Sequence, residues 1–191
     1  MEVSEEDHNR RKKEPMYWFN KASDLRGAAA SLMFCMDNQG KYEIAEKMNL
    51  GKGFDLSVAT YNVYRMLCGM SLELLFKAII VAKMKNVPKI HNLEELAVKA
   101  ELKYSKKDKA ILAILTECIV WGGRYPVPKS HEISDYFAWL TYENLYKKVP
   151  LGKNGTILKP IEPNPLGWKQ FNNLWDQASV KFWNLYSSSK K

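Results

Sequence analysis

The residues best suited to chemistry in this sequence are Arg124 and His131, which enclose the six residues YPVPKS. An imidazole exchanges protons near neutral pH, and a guanidinium grips two phosphate oxygens. An arginine and a histidine at this spacing also occur often by chance. Structural roles therefore remain open. Arg124 would then be a cation at a helix C-terminus that closes over Trp121 or Tyr125. His131 would merely precede a helix cap.

Other ionisable residues lie upstream. Glu73 and Lys77 are one helical turn apart, in the favourable order for an ion pair. His91 directly precedes Asn92, whose side chain is expected to cap a helix, so we interpret His91 as a packing or turn residue rather than a catalyst. The sequence contains no HExxH, GxSxG, P-loop or dinucleotide motif, and its three histidines are scattered. It therefore predicts neither a metal site nor a cofactor.

The three cysteines, Cys35, Cys68 and Cys118, are widely separated, and each follows a helical apolar pattern. Their number is odd, and they form no CxxC motif and no cluster with histidine. This pattern favours reduced thiols in a helical core over a redox or zinc site.

The elements that must position these residues are helices. The central one is expected to begin near Asp55 or Ser57 and to end near Lys85, before the turn Asn86-Val87-Pro88. One stripe of its apolar residues recurs at steps of three and four, and further apolar residues lie on both flanks of that stripe. Such a helix belongs at the centre of a bundle. The stripe consists of Val63, Leu67, Met70, Leu74, Ala78 and Val81.

The remaining chain predicts further helices and few strands. Helical spacing and capping residues predict helices over Tyr17–Met36, in the segment from Lys41, from Asn92, from Ser105 to Trp121, from Ser134 to the stop at Val149-Pro150, and over Phe171–Leu185. Residues 149–167 read as irregular loop, in which Asn154-Gly155 indicates a tight turn or small hairpin. The predicted fold is therefore all-α: an up-and-down bundle of about four to six helices. Residues 1–15 are expected to be a disordered charged tail, and residues 16–187 a single domain.

The net charge of +8 favours an anionic partner, with nucleic acid first, although a merely solvated basic face explains it equally well. Lysines cluster between Lys83 and Lys109 and again between Lys147 and Lys159. No run approaches the roughly 18 apolar residues of a membrane span. The charged N-terminus also lacks the apolar segment of a secretory signal, so we expect a cytoplasmic protein without membrane association.

Three segments together resemble the HEPN family of small helical domains, which occur in prokaryotic toxins, defence systems and RNA-processing proteins. They are SLELLFKAIIVAK, the proline turn with HNLEEL, and the helix that ends in WGGRYP. The similarity covers roughly Val58 to Arg124. Residues 146–166 carry no resemblance to the family.

The resemblance implies an activity. Active family members have an arginine and a histidine separated by four to six residues and join two such pairs across a two-fold axis, where they cut RNA without a metal. It implies that His131 acts as general acid or base, that Arg124 holds the scissile phosphate, and that Glu73 orients one of them. It also implies a homodimeric toxin or defence effector with RNA as substrate and an antitoxin or nucleotidyltransferase-like protein as partner. The alternative is a non-catalytic HEPN module that binds RNA, a nucleotide or a protein. A third reading is a helical interaction protein outside this family.

Overall fold

The computed structural model describes residues 4–37, 40–84, 86–151 and 155–188. This part of the chain is an all-α bundle with one added hairpin, which confirms the predicted fold class. Its helices nowhere combine the length and the apolar content that a membrane crossing requires. The elements are α1 (Glu5–Lys13), α2 (Pro15–Asp37), α3 (Gly40–Lys47), α4 (Leu56–Ala59), α5 (Tyr61–Met84), α6 (Leu93–Lys99), α7 (Lys106–Glu117), a π-helical turn (Cys118–Gly122), α8 (His131–Leu145), β1 (Tyr146–Leu151), β2 (Gly155–Pro160) and α9 (Trp168–Ser188).

Helix α5 is the centre of the bundle, as its apolar circumference predicts. It packs against α2, α9, α6, α7 and the π-turn. Ala22 and Ala29 of α2 are fully buried, and their small side chains allow α2 to approach α5 closely. The stacked rings of Phe19 and Phe182, 4.5 Å apart, join α2 to α9. The fully buried side chains of α5 are Leu72, Leu75, Phe76, Ala78, Ile79 and Val81.

Local caps determine where several helices begin. The side chain of Asp55 accepts a hydrogen bond of 2.8 Å from the amide of Ser57 and so starts α4, one short turn before α5. The Asn92 side chain accepts from the amide of Glu95 at 2.9 Å, which confirms the predicted start of α6. Ser105 and Asp108 form a reciprocal capping box at the start of α7, also as predicted. The predicted end of the central helix at Lys85 lies outside the described residues.

The N-terminal segment differs from the predicted disordered tail. Residues 5–13 form α1, and the Ser4 hydroxyl caps it by accepting from the amide of Asp7 at 3.1 Å. Its acidic residues occupy the first turn and its basic residues the last, an arrangement that the helix dipole stabilises. None of its residues is buried, so α1 contributes little to the core.

The region after α7 differs in two respects. Helix α8 begins at His131, after the N-cap Ser130, whereas Ser134 was expected to be the cap. The helix starts earlier because the proline-rich segment ends before Ser130, and Ser134 therefore lies inside the first turn. The predicted loop contains β1 and β2, paired antiparallel from Tyr146 opposite Pro160 to Leu151 opposite Gly155. Both strands are short and contain proline, which hides the strand pattern. Asn154 of the predicted turn lies outside the described residues.

The buried cysteines generate a prediction about thiol reactivity. Burial raises the pKa of Cys68 to about 12 and that of Cys118 to about 11, so both stay protonated thiols well above neutral pH. Cys35 is only half-buried. Since the thiolate is the reactive form, we expect iodoacetamide at pH 8.5 to label Cys35 in the folded protein, and all three cysteines in urea. Mass spectrometry of the peptides measures this. Equal native labelling of Cys68 and Cys35 would contradict the buried assignment.

Candidate active site

A pocket of about 280 Å³ opens where α5, the chain before α6 and the end of the π-turn meet. Its volume lies near the lower end of small-molecule pockets, which span roughly 300–1,000 Å³. Its ionisable side chains are those of Glu73, His91 and Arg124. Apolar side chains form the rest of the wall: Met70, Leu74, Ile119 and Val120.

Glu73 and Lys77 form a buried ion pair on α5. Their side chains are 8% and 7% exposed, and Lys77 Nζ lies 2.7 Å from Glu73 Oε1. A buried carboxylate is costly unless a cation and hydrogen-bond donors satisfy it. The predicted ion pair is present. Because it is buried, loss of either side chain would leave the charge of the other without its ion-pair partner.

His91 supplies the second partner of Glu73. Its Nδ1 lies 3.1 Å and 3.2 Å from the two carboxylate oxygens. An ionised carboxylate can only accept, so Nδ1 carries the proton and Nε2 of a neutral ring keeps its lone pair. The His91 side chain is 63% exposed, and it lines the pocket. A carboxylate that fixes the tautomer in this way prepares an imidazole to act as a base through Nε2.

Arg124 reaches the same pocket from the end of the π-turn. The amide of Gly123 bonds to the carbonyl of Cys118 at 2.9 Å, the i to i+5 pattern that widens the turn by one residue. The exposed Arg124 side chain donates to the carbonyl of Val120, and its guanidinium carbon lies 5.5 Å from the Tyr125 ring centroid. Arg124 thus has the features of a helix C-terminal cation and also lines the pocket.

Gly123 allows the chain to leave the π-turn close to α5. A Cβ at this position would lie 2.4 Å from the Cβ of Met66, which is too short for two non-bonded carbon atoms. A Cβ at the neighbouring Gly122 would meet only the carbonyl of Glu117, at 3.7 Å. The second glycine of WGGRYP is therefore the one that the position of Arg124 requires.

His131 lies elsewhere. It is the first residue of α8, its side chain is 84% exposed, and its Nδ1 lies 3.0 Å from Asp135 Oδ2. It does not line the described pocket. Of the three predicted site residues, the chain thus brings Glu73 and Arg124 to one pocket and leaves His131 on the surface. Glu73 was expected to orient His131 or Arg124, whereas its partners in the described structure are Lys77 and His91.

Sequence reasoning missed His91 because a histidine before a helix cap is ordinarily a turn residue. The available signal was Glu73 itself, a carboxylate within a segment that is apolar on most sides. A buried acid needs more than one polar partner. The turn at Pro88 returns the chain along α5, so the residue just before the Asn92 cap becomes such a partner.

The buried pair predicts a large change in stability. Glu73→Ala leaves Lys77 as an uncompensated buried charge and should lower the free energy of unfolding by about 3–5 kcal/mol. The double variant Glu73→Leu with Lys77→Met removes both charges at similar volume and should regain most of that loss. Urea denaturation at pH 7 measures both. A double variant no more stable than Glu73→Ala would show that the pair is not the source of the loss.

The two glycines of WGGRYP form a matched pair of positions. Gly123→Ala should lower the free energy of unfolding by about 1–3 kcal/mol, because Met66 must move. Gly122→Ala should change it by about 0.5 kcal/mol or less. Thermal and urea unfolding compare the two variants, and equal effects at both positions would contradict the close approach of this turn to α5.

Comparison with known proteins adds no relative to this description. No family model, no curated protein and no solved structure matches the chain. The pocket is therefore interpreted from its own geometry.

Proposed function

We propose that this protein is a HEPN-like, metal-independent endoribonuclease that acts as a homodimer. The observation that carries the proposal is that Arg124 lines one pocket with His91, whose Nδ1 is held by the carboxylate of Glu73. RNA carries its own nucleophile, the 2′-hydroxyl, so its cleavage needs a base, an acid and a cation rather than a cofactor. The pocket contains groups suited to two of these tasks: His91 as the base and Arg124 as the cation.

In the proposed reaction, Nε2 of His91 takes the proton of the 2′-hydroxyl, whose oxygen attacks the neighbouring phosphorus. Arg124 holds the phosphate oxygens while negative charge develops on them. The bond to the 5′-oxygen breaks, and that oxygen receives a proton. The products are a 2′,3′-cyclic phosphate and a 5′-hydroxyl.

The homodimer supplies a role for His131. This histidine is exposed at the start of α8, so a second copy of the chain can approach it. In the two-fold arrangement that the resemblance implies, His131 of one protomer would serve as the acid at a site that contains Arg124 of the other. The resemblance also supports a role as a toxin or defence effector that an antitoxin or nucleotidyltransferase-like protein restrains.

A second candidate is a non-catalytic HEPN module that binds RNA, a nucleotide or a protein. It is favoured by the contacts of Arg124, whose guanidinium already bonds to the carbonyl of Val120 and packs on Tyr125. The apolar wall of the pocket also fits a binding role. This candidate predicts no cleavage under any condition.

Cleavage of 5′-labelled RNA in excess EDTA tests the proposal. Wild-type protein should yield fragments that end in a 2′,3′-cyclic phosphate. Arg124→Ala and His91→Gln should each slow cleavage by about 100-fold or more, the usual contribution of a charge-stabilising or acid–base group. Lys129→Ala, which removes an exposed cation near Arg124, is the matched control and should keep its activity.

His131→Gln separates the two histidines. Large losses with both His91→Gln and His131→Gln would agree with His91 as the base and His131 as the acid. Full activity of His131→Gln would remove His131 from the reaction, and full activity of His91→Gln would overturn the role of His91 and return the base to His131. Cleavage that survives Arg124→Ala, or its absence in the wild type, would contradict the ribonuclease proposal. Melting curves of each variant confirm that the fold is retained.

A further inference from the structure

A second surface, on the outer side of α8 and along the hairpin, combines exposed aromatic rings with lysines. It lies outside the pocket, and no step of the proposed reaction uses it. We call it the α8–hairpin surface, and it consists of Tyr136, Trp139, Tyr146, Lys147, Lys148 and Lys159. Within the hairpin, Lys147 and Lys159 share one face of the ribbon, and Tyr146 and Lys148 lie on the other, so the surface includes both faces of the ribbon.

The hairpin carries an excess of positive charge. Between Glu143 and Glu162 the sequence contains four lysines and no acidic residue. Lys147 lies directly opposite Lys159 in the strand register, and like charges at such a pair of positions destabilise a hairpin. The described strand residues are exposed on both faces except for half-buried Val149 and Ile157. An isolated two-stranded ribbon is only marginally stable, so an anionic partner would stabilise this one.

The aromatic side chains continue this surface along α8. Tyr136, Trp139 and Tyr146 are 47%, 58% and 43% exposed. The rings of Tyr136 and Trp139 are 6.1 Å apart, and Lys148 Nζ lies 5.7 Å from the centroid of the Tyr142 ring. Large exposed aromatic rings cost free energy in water, and flat bases stack on them favourably.

The α8–hairpin surface also leads towards the candidate active site. Tyr136 borders a groove that Val120 lines as well, together with Glu117 and Glu132. Val120 is part of the wall of the pocket that contains Glu73, His91 and Arg124. A ligand that extends along α8 past Tyr136 would therefore arrive beside that pocket.

We propose that the α8–hairpin surface binds single-stranded RNA, with bases stacked on Tyr136, Trp139 and Tyr146 and phosphates held by the hairpin lysines. Single strands expose the faces of their bases, whereas a duplex keeps them stacked inside. The inference rests on the proposed function in taking RNA as the ligand that must reach the pocket. Glu143, four residues after Trp139 on the same side of α8, opposes binding, as do Glu117 and Glu132 in the groove.

Binding is measured by fluorescence anisotropy with a labelled, unstructured RNA. The Arg124→Ala background is used so that cleavage does not interfere. Replacing Lys147, Lys148 and Lys159 by Ala should weaken binding by about tenfold or more. It should also reduce the slope of log K against log salt by about 0.7 for each lysine that contacts a phosphate. Replacing Lys103, Lys106 and Lys107 by Ala removes the same charge from exposed positions near the start of α7 and should have a much smaller effect.

Stacking is tested separately. Trp139→Ala should weaken binding by about 5- to 100-fold, and Trp139→Phe should keep most of the affinity because an aromatic face remains. Glu143→Gln should strengthen binding. Replacing the three hairpin lysines by Arg should preserve it, which separates loss of charge from misfolding of the hairpin.

The inference is overturned if both lysine triples weaken binding equally, if duplex RNA binds better than single strands, or if Trp139→Phe fails like Trp139→Ala. Binding to vesicles with anionic phospholipid, but not to RNA, would overturn it in favour of a membrane surface. RNA binding at this surface without cleavage by the wild type would support the inference and contradict the nuclease. Cleavage by the wild type, with RNA binding unchanged in the hairpin variants, would support the nuclease and overturn the inference.

Discussion

The structure depends on one constraint: α5 is apolar around most of its circumference and must be covered on every side. Helices α2 and α9, the α6–α7 pair and the π-turn all pack against it. Burying each large apolar side chain of α5 stabilises the folded state by about 1.5–3 kcal/mol relative to leaving it exposed. The positions of the other helices therefore follow from the need to cover α5. The peripheral elements α1 and the hairpin have few or no buried residues and lie outside this requirement.

The candidate active site arises where the cover of α5 is incomplete. Glu73 and Lys77 introduce charge into the packed interface, and their mutual burial rigidifies both side chains. The carboxylate then holds one nitrogen of His91 and leaves the other available. The bundle thereby places a histidine, one nitrogen of which is held by a carboxylate, and an arginine on the wall of one pocket.

Much of the fold was predictable, because helices depend on local sequence patterns and capping residues. The apolar stripe of α5 and the caps Asn92 and Ser105 depend on residues within a few positions of each other. The start of α8 was misplaced, and the hairpin was indicated only by Asn154-Gly155, because prolines interrupt the local patterns of both segments. The site was predicted only in part. Glu73 and His91 meet through the return of the chain after Pro88, and no periodicity along one element reveals such a contact.

The π-turn makes the direction of Arg124 a matter of residue count as well as residue type. Each residue of an α-helix advances the chain by about 100° around the axis. In an ordinary α-helix one extra residue would therefore rotate everything that follows by that angle. The wide turn from Cys118 to Gly122 absorbs one residue instead, so Arg124 keeps the direction in which it lines the pocket with Glu73 and His91. An insertion that the turn did not absorb would leave the apolar stripe of α7 intact and would turn the guanidinium away, and the pocket would keep Glu73 and His91 but lose Arg124.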